Sequence, residues 1–133
     1  MPAQMNLRYH HVSRSTADLD RVLAFYYALG CVMEKRVRHE DEGLVRAVLS
    51  LPGSDARLQF VQRDSGPVAG PAPDWPDHLA FHTNQVHALV QALLDAGGSL
   101  LEEPRERRPG GSIIAFVADP DGHRVELVQK RVS

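Results

Sequence analysis

Apolar residues follow a helical period in two separate stretches of the chain. They recur every three or four positions between Asp18 and Gly30, and the same spacing returns across residues 86–96. Such a stripe is typical of an amphipathic helix that buries one face. The short side chain of Asp18 can accept a hydrogen bond from the first helical turn, and Gly30 tolerates the left-handed conformation of a C-terminal cap. The pattern therefore predicts one helix at residues 19–29 and a second at 86–96.

Shorter stretches of apolar or alternating residues predict eight strands, four in each half of the chain. Their predicted ranges are 7–15, 32–38, 44–51, 56–62, 78–83, 99–102, 112–118 and 123–129. Between the halves, residues 64–76 contain six glycines and prolines, which can neither pair as a central strand nor continue a helix. This segment is predicted to be a linker, and each half then has the order βαβββ.

The two halves are copies of one pattern. Equivalent residues of the two copies are separated by a constant number of positions along the chain, and this separation is called the displacement below. The displacement aligns four pairs of residues: His11 with His78, Gly30 with Gly97, Leu49 with Phe116, and Gln59 with Glu126. The spacing from the histidine to the last member is therefore the same in both copies. A duplicated module can bring residues of its first and last strands together across a pseudo-twofold axis. The repeat makes the aligned His, Gln and Glu residues candidates for one shared site.

The alternation of side chains along a strand places these polar residues on one face. In the last strand of each half, apolar residues flank Gln59 and Glu126 and point to the opposite face, where the helices must cover them. Arg14 is an exception, since it falls on the apolar side of the first strand. His82 shares the face of His78 and is a candidate pocket residue. The face opposite the helices is thus left to the four candidate ligands His11, Gln59, His78 and Glu126, with small or polar companions at Ser13, Ser15 and Ala80.

Two imidazoles, one amide oxygen and one carboxylate form a ligand set for a single divalent cation. The donors suit Zn²⁺, Ni²⁺, Co²⁺, Fe²⁺ or Mn²⁺ and do not choose among them. Four protein ligands would leave two positions of an octahedron for water or substrate oxygens, which is the arrangement that a Lewis-acid catalyst needs. The sequence therefore predicts one divalent metal ion per chain and a small-molecule substrate.

Composition and charge argue against several other classes of protein. The 133 residues carry 15 basic and 17 acidic side chains, and Glu106 interrupts the arginines of residues 105–108, so that stretch is predicted to be a solvated loop and no nucleic-acid partner is expected. The single cysteine, Cys31, precludes an intrachain disulfide and suits a reducing compartment. Residues 1–5 lack the features of a signal peptide, and no apolar run approaches the roughly 20 residues that span a bilayer. A cytoplasmic protein without a membrane partner is predicted.

Three segments of the chain resemble one known family. They are residues 11–30, residues 77–81 with the sequence DHLAF, and residues 115–128, which contain the motif FVADPDGHRVEL. The chain thereby resembles the vicinal-oxygen-chelate superfamily of glyoxalase I, bleomycin-resistance proteins, methylmalonyl-CoA epimerase and extradiol dioxygenases. The resemblance implies an α+β fold in which two tandem βαβββ modules form curved mixed sheets around a metal cleft.

The resemblance also implies how the chain is divided and which residues hold the metal. One domain would span residues 1–133, with module 1 at about 7–63, the linker at 64–76 and module 2 at about 77–130. The implied metal ligands are His11, Gln59, His78 and Glu126.

The function implied by the resemblance is that of an enzyme, a divalent-metal-dependent lyase or isomerase similar to lactoylglutathione lyase. Substrate oxygens would chelate the metal, which stabilises an enediolate while a carboxylate moves a proton on carbon. Glu126 is the candidate base, and His82 is the second candidate catalytic residue. Small relatives often pair their modules between chains, which implies a homodimer.

Three positions depart from the patterns of the family and keep other functions open. Arg63 stands where glyoxalase I has an asparagine for glutathione, Ser15 where it has an arginine, and Arg46 where the epimerases place a second catalytic carboxylate. The ligand order His, Gln, His, Glu matches the epimerases, whereas bacterial glyoxalase I has a glutamate at the position of Gln59. The alternatives are a methylmalonyl-CoA-epimerase-like enzyme, a non-haem iron extradiol-type dioxygenase, or a metal-free small-molecule binding protein of the antibiotic-resistance type.

Overall fold

A computed structural model describes residues 5–131, which form two four-stranded sheets and two helices. In chain order the elements are β1 (Val12–Ser15), α1 (Leu19–Leu29), β2 (Val32–His39), β3 (Leu44–Ser50), β4 (Arg57–Arg63), β5 (His78–His82), α2 (Val86–Asp95), β6 (Ser99–Glu106), β7 (Ile113–Ala118) and β8 (Arg124–Gln129). The order βαβββ occurs twice, so the predicted α+β fold class is confirmed. Residues 1–4 and 132–133 lie outside the described residues. They include most of residues 1–5, on which the absence of a signal peptide was predicted, and both ends of the predicted domain.

Each helix begins at a residue whose backbone N–H is bonded by a glutamine from the last strand of the same half. The N–H of Leu19 donates to Gln62 Oε1 at 2.6 Å, and the N–H of Val86 donates to Gln129 Oε1 at 2.8 Å. The first N–H groups of a helix have no partner within the helix, so an outside acceptor stabilises its start. The two glutamines are related by the same displacement as the candidate ligands, which makes this capping contact part of the repeat.

Helix α1 has the two ends that the sequence predicts. The Asp18 carboxylate accepts a hydrogen bond from a backbone N–H of the first turn at 3.2 Å, and Gly30 closes the helix with a φ of +115°. That left-handed conformation favours glycine. In helix α2 the N-cap residue Gln85 makes no side-chain capping hydrogen bond, and Gly97, with a φ of +102°, follows the last turn. In the described part of the chain, neither helix is long and apolar enough to cross a membrane.

The first strand of each sheet is hydrogen-bonded to the last strand of the same half. The strand orders are β1–β4–β3–β2 and β5–β8–β7–β6, with β1 parallel to β4 and β5 parallel to β8. Ser13 therefore lies opposite Gln59, and Ala80 lies opposite Glu126. The equivalent pairing in the two halves places His78 and Glu126 on neighbouring strands, and it places His11, immediately before β1, next to the strand that carries Gln59.

The apolar faces of both sheets pack against the helices and form one core. Its buried residues come from both halves and include Leu23, Tyr26, Phe60, Val90, Leu93, Val117 and Leu127. The two helices contact each other as well as the sheets. Because side chains alternate along a strand, the opposite face of each sheet is turned away from this core, and it is called the uncovered face below.

In the third strand of each half, the separation between equivalent residues is one position larger than the sequence alignment predicts. Val48 lies opposite Gln59, and Phe116 lies opposite Glu126. Val48 is therefore the counterpart of Phe116, and the predicted alignment with Leu49 is wrong by one position. The β3–β4 hairpin is one residue longer than the β7–β8 hairpin, which produces the slip. This offset of one residue changes the side of the sheet on which the side chain lies. Leu49 is buried in the core, whereas Val48 and Phe116 lie on the uncovered faces.

Two strand boundaries also differ from the prediction. β1 is shorter than predicted and begins immediately after His11. β6 is longer and continues through Pro104 to Glu106, so it takes up half of the stretch predicted as a solvated loop. β6 is an edge strand, and its pairing with β7 is irregular around Pro104. At such a place the missing N–H of a proline interrupts no regular ladder.

A buried hydrogen bond joins the two halves inside the core. The Tyr26 hydroxyl donates to Asp119 Oδ2 at 2.7 Å, and Asp119 Oδ1 accepts the backbone N–H groups of Asp121 and His123 at 2.9 and 3.0 Å. Burial, and secondly the Asp119 carboxylate, raises the pKa of Tyr26 well above its usual value. Burial, and secondly the charge of Arg14, lowers the pKa of His123. Arg14, on the apolar side of β1, thus lies close enough to this polar cluster for its charge to act on Tyr26 and His123.

Replacing Tyr26 with phenylalanine should lower the free energy of unfolding by about 1–3 kcal/mol, because the buried Asp119 carboxylate loses a donor that water cannot replace. Urea unfolding measures the change. Tyr27→Phe is the matched control, since Tyr27 lies beside it in α1 but is 44% exposed. Equal stability of the Tyr26→Phe and wild-type proteins would contradict a structural role for this bond.

Candidate metal centre

His78 and Glu126 come together on the uncovered face of the second sheet. Their strands are parallel neighbours, and His78 Nε2 lies 3.3 Å from Glu126 Oε1. The side chain of His78 is 36% exposed and that of Glu126 only 13%, so the imidazole lies between the carboxylate and solvent. The Phe116 ring stands edge-on to His78, with the ring centres 5.3 Å apart, and shields one side of the pair.

The orientation of His78 suits a metal ligand. Its Nδ1 lies 2.9 Å from the carbonyl oxygen of Pro76, and because a carbonyl can only accept, Nδ1 carries the hydrogen. When the ring is neutral, it presents the lone pair of Nε2 towards the Glu126 carboxylate. Metal-binding histidines commonly donate their other N–H in this way, which fixes the ring and its tautomer. Two lone-pair donors that face one point are stabilised by a cation between them, so this pair fits a divalent metal.

Gln59 and His11 line one cavity, of about 270 Å³, on the uncovered face of the first sheet. The amide nitrogen of Gln59 donates to Ser13 Oγ at 3.0 Å, which leaves its Oε1, the atom that can bind a metal, without a hydrogen bond from the described residues. His11 is exposed, and its Nδ1 lies 2.6 Å from Nδ1 of His10, so one of these rings donates to the other. His11 therefore has Nε2 available as a ligand atom.

The structure brings the four candidate ligands together as two pairs and not as one cluster. Within residues 5–131, no three His, Cys, Asp or Glu side chains are grouped closely enough to hold a metal ion. The pairs lie on different sheets, on the faces that the core leaves uncovered. A four-ligand site therefore requires these two faces to meet.

His82 lies on the same face as the second pair but further along the strand. It is exposed at the end of β5, two positions beyond Ala80, which is the residue opposite Glu126. Two residues along a strand span about 7 Å. His82 can therefore line a cleft over this face without touching the ligand pair, and its catalytic role stays a prediction.

The sequence pattern did not single out two arginines as site residues. Arg124 lies opposite His78 on the uncovered face of the second sheet, and its guanidinium carbon is 5.6 Å from the centre of the Phe116 ring. Arg46 lines the cavity of about 270 Å³ on the first sheet. The alternation of side chains along a strand could have identified both arginines. Arg124 stands two positions before Glu126 in β8, and Arg46 stands two positions before Val48 in β3, so each shares the uncovered face with that residue.

Comparison with known families decides how the two pairs are interpreted. The Glyoxalase/Bleomycin resistance protein/Dioxygenase superfamily matches residues 8–127. The chain belongs to this superfamily. The resemblance to a glyoxalase-like member, which was based on residues 11–30, 77–81 and 115–128, is thereby confirmed.

Several curated relatives are named as lactoylglutathione lyases. A lactoylglutathione lyase of Arabidopsis thaliana is 31% identical over 97% of the chain and 46% of its own length. A probable lactoylglutathione lyase of Vibrio cholerae is 37% identical over 95% of the chain and 93% of its own length. The chain thus spans about half the length of the plant relatives it matches and most of the length of this bacterial one.

Solved structures agree with the fold. Glyoxalase I from Zea mays aligns with a TM-score of 0.79 at 25% identity, over 95% of this chain and 45% of that chain. A glyoxalase family protein from Bacillus cereus aligns with a TM-score of 0.84 at 17% identity, over 99% of both chains. The second likeness bears on the fold alone. Both support the arrangement of paired four-stranded sheets and two helices.

Nitrogen NMR of the metal-free protein should find the neutral ring of His78 as the Nδ1–H tautomer, because the Pro76 carbonyl accepts that hydrogen. A long-range ¹H–¹⁵N spectrum of protein labelled at histidine measures the tautomer. The His78→Gln variant assigns the signal. An Nε2–H tautomer would contradict the orientation that makes His78 a ligand.

Proposed function

We propose that the protein is a divalent-metal-dependent lyase or isomerase similar to lactoylglutathione lyase, acting on a small substrate that chelates through oxygen atoms. The observation that supports this most directly is the pair of His78 and Glu126, with the imidazole oriented by a backbone carbonyl. The relatives named as lactoylglutathione lyases, at 31% and 37% identity, support the same class of reaction.

Four side chains would hold the cation: His11, Gln59, His78 and Glu126. A bound divalent cation would polarise substrate oxygens and stabilise negative charge that develops on them. Only one of the four donors is negatively charged, so the ligand set would not cancel the charge of the cation. Gln59 suits this role because Ser13 takes its amide nitrogen and leaves the oxygen free.

Glu126 is the side chain best placed to move a proton on a substrate carbon. Ala80 lies opposite it in β5 and adds no bulk above the carboxylate. Its 13% exposure leaves the carboxylate largely shielded from water yet reachable from the uncovered face. A carboxylate within hydrogen-bonding distance of the substrate proton can act as a general base. His82, about 7 Å further along β5, is the second candidate for this role.

The two ligand pairs would meet in a homodimer. Each chain turns both uncovered faces away from its own core, and a twofold-related copy can set the second sheet of one chain over the first sheet of the other. The dimer would then contain two equivalent sites. Each site would combine two pairs: His11 with Gln59 from one chain, and His78 with Glu126 from the other.

The protein should bind one divalent metal ion per chain and, once loaded, convert the hemithioacetal of methylglyoxal and glutathione to lactoylglutathione. Glu126→Ala should weaken metal binding by more than about 100-fold and abolish product formation, because water replaces a charged ligand poorly. Glu103→Ala is the matched control, since Glu103 is an exposed glutamate on β6. Elemental analysis and product assay measure the two effects separately.

Two outcomes of that experiment would count against the proposal in different ways. Full metal content in the Glu126→Ala protein would refute the assignment of this ligand. A wild-type protein that binds the metal but forms no lactoylglutathione with any of the five candidate cations would refute the reaction and leave the metal site standing.

Mixed dimers test whether the site is shared between chains. One chain carries His11→Ala with Gln59→Ala, and a differently tagged chain carries His78→Ala with Glu126→Ala. If each site takes one pair from each chain, the mixed dimer keeps one intact site and binds about one metal ion, whereas neither variant alone binds any. A mixed dimer without metal would place the site within one chain. Light scattering that gives a mass near 14.7 kDa would exclude the dimer itself.

A further inference from the structure

Arg46 is a cation on the uncovered face of the first sheet, close to the first ligand pair. It stands two positions before Val48, which lies opposite Gln59, so its side chain shares the face of Gln59. It lines the cavity of about 270 Å³ together with Gln59 and His11. Two residues along a strand span about 7 Å, which sets the separation between Arg46 and the level of the ligands.

The surroundings of Arg46 differ from those of its neighbours. Three other arginines of this sheet each form an ion pair with a carboxylate: Arg36 with Asp20, Arg38 with Asp64, and Arg57 with Glu34. Among residues 5–131, Arg46 forms no such pair, and its Nε atom is buried without a hydrogen-bond acceptor. A buried donor without an acceptor is destabilising, and an anionic ligand would remove that cost.

His39 holds the guanidinium of Arg46 in place. Nη2 of Arg46 lies 2.9 Å from Nε2 of His39. A guanidinium can only donate, so the imidazole accepts at Nε2 and is neutral, with its hydrogen on Nδ1. A neutral partner orients the arginine without cancelling its charge. The side chain is therefore both oriented and electrostatically uncompensated, which is what a receptor for an anion requires.

The rest of the cavity lining is also basic. Lys35 and Arg57 line it beside Arg46, and the one lining carboxylate, Glu34, accepts hydrogen bonds from Arg57 at 3.0 and 3.1 Å. Three cationic side chains thus stand against one carboxylate that is already paired. A concave surface with an excess of one charge attracts ligands of the opposite charge.

We propose that Arg46 binds a carboxylate of the substrate and that His39 is its positioning residue. The substrate would carry a carboxylate about 7 Å along the sheet from its chelating oxygens. The inference rests on the proposed function, because the metal would hold the other end of the substrate. The planar fork of a guanidinium matches a carboxylate. The cavity of about 270 Å³ is slightly smaller than a typical ligand pocket, so it suits the carboxylate end of the substrate.

Two hydroxamates test the proposal without knowledge of the natural substrate. Butyrohydroxamate and succinic monohydroxamate share the same chelating head, and only the second ends in a carboxylate. Isothermal titration calorimetry of the Zn²⁺-loaded wild-type protein should find succinic monohydroxamate at least about ten-fold tighter, which corresponds to about 1.4 kcal/mol.

Variants then assign this preference to one side chain. In Arg46→Met the two probes should bind about equally, and Arg46→Lys should keep part of the preference, because lysine retains the charge but not the fork. His39→Ala should weaken the binding of succinic monohydroxamate alone, and His39→Gln, which keeps an acceptor, should restore it. Arg36→Met is the matched control, since it removes the same charge from the helix side of the sheet, where Arg36 pairs with Asp20.

Each result supports or overturns a defined statement. Equal binding of the two probes to the wild-type protein would overturn the carboxylate proposal and leave the metal site intact, whereas binding of neither probe would overturn the proposed function, in which the bound metal keeps positions open for substrate oxygens. An undiminished preference in folded Arg46→Met protein would overturn the role of Arg46. If that variant does not fold, an undiminished preference in Arg46→Lys would overturn the role of the Arg46 guanidinium, and an undiminished preference in His39→Ala would overturn the positioning role of His39.

Discussion

The packing of one face of each sheet against the helices decides where every candidate site residue lies. Phe60 in β4 and Leu127 in β8 are buried in the core formed with α1 and α2. Because side chains alternate along a strand, Gln59 and Glu126 must then point away from that core. Parallel pairing of β5 with β8 adds His78 beside Glu126, and the parallel pairing of β1 with β4 leaves His11 just before the strand next to Gln59. A change of one residue in strand register would turn these polar side chains towards the core, and the candidate site would no longer form.

The sequence predicts most of the fold because its signals are local. Asp18 and Gly30 mark the ends of α1 through hydrogen bonds and a left-handed φ that depend on those residues alone. The register of the third strand was wrong, because it depends on the length of the following hairpin and not on the strand itself. The length of β6 was underestimated, since Pro104 is tolerated only where an edge strand pairs irregularly.

The candidate site could be predicted only in part. Alternation identifies the face of each ligand but does not say how one sheet lies relative to the other, so the separation into two pairs could not be foreseen. The orientation of His78 depends on a backbone carbonyl of the linker, and the contact between Arg46 and His39 depends on the β2–β3 register. The two pairs also differ in how well they are oriented to bind a metal. Nε2 of His78 already faces Glu126, whereas His11 lies just outside β1 and is exposed.

Anomalous diffraction from crystals of the Zn²⁺-loaded protein tests most directly whether the two pairs form one site, because it locates the metal independently of any activity. One peak per chain is expected, within about 2.0–2.2 Å of the ligand atoms, which come from His78 and Glu126 of one chain and His11 and Gln59 of its partner. A metal ion bound by one pair alone, or by other residues, would contradict the claim that the two pairs form one site.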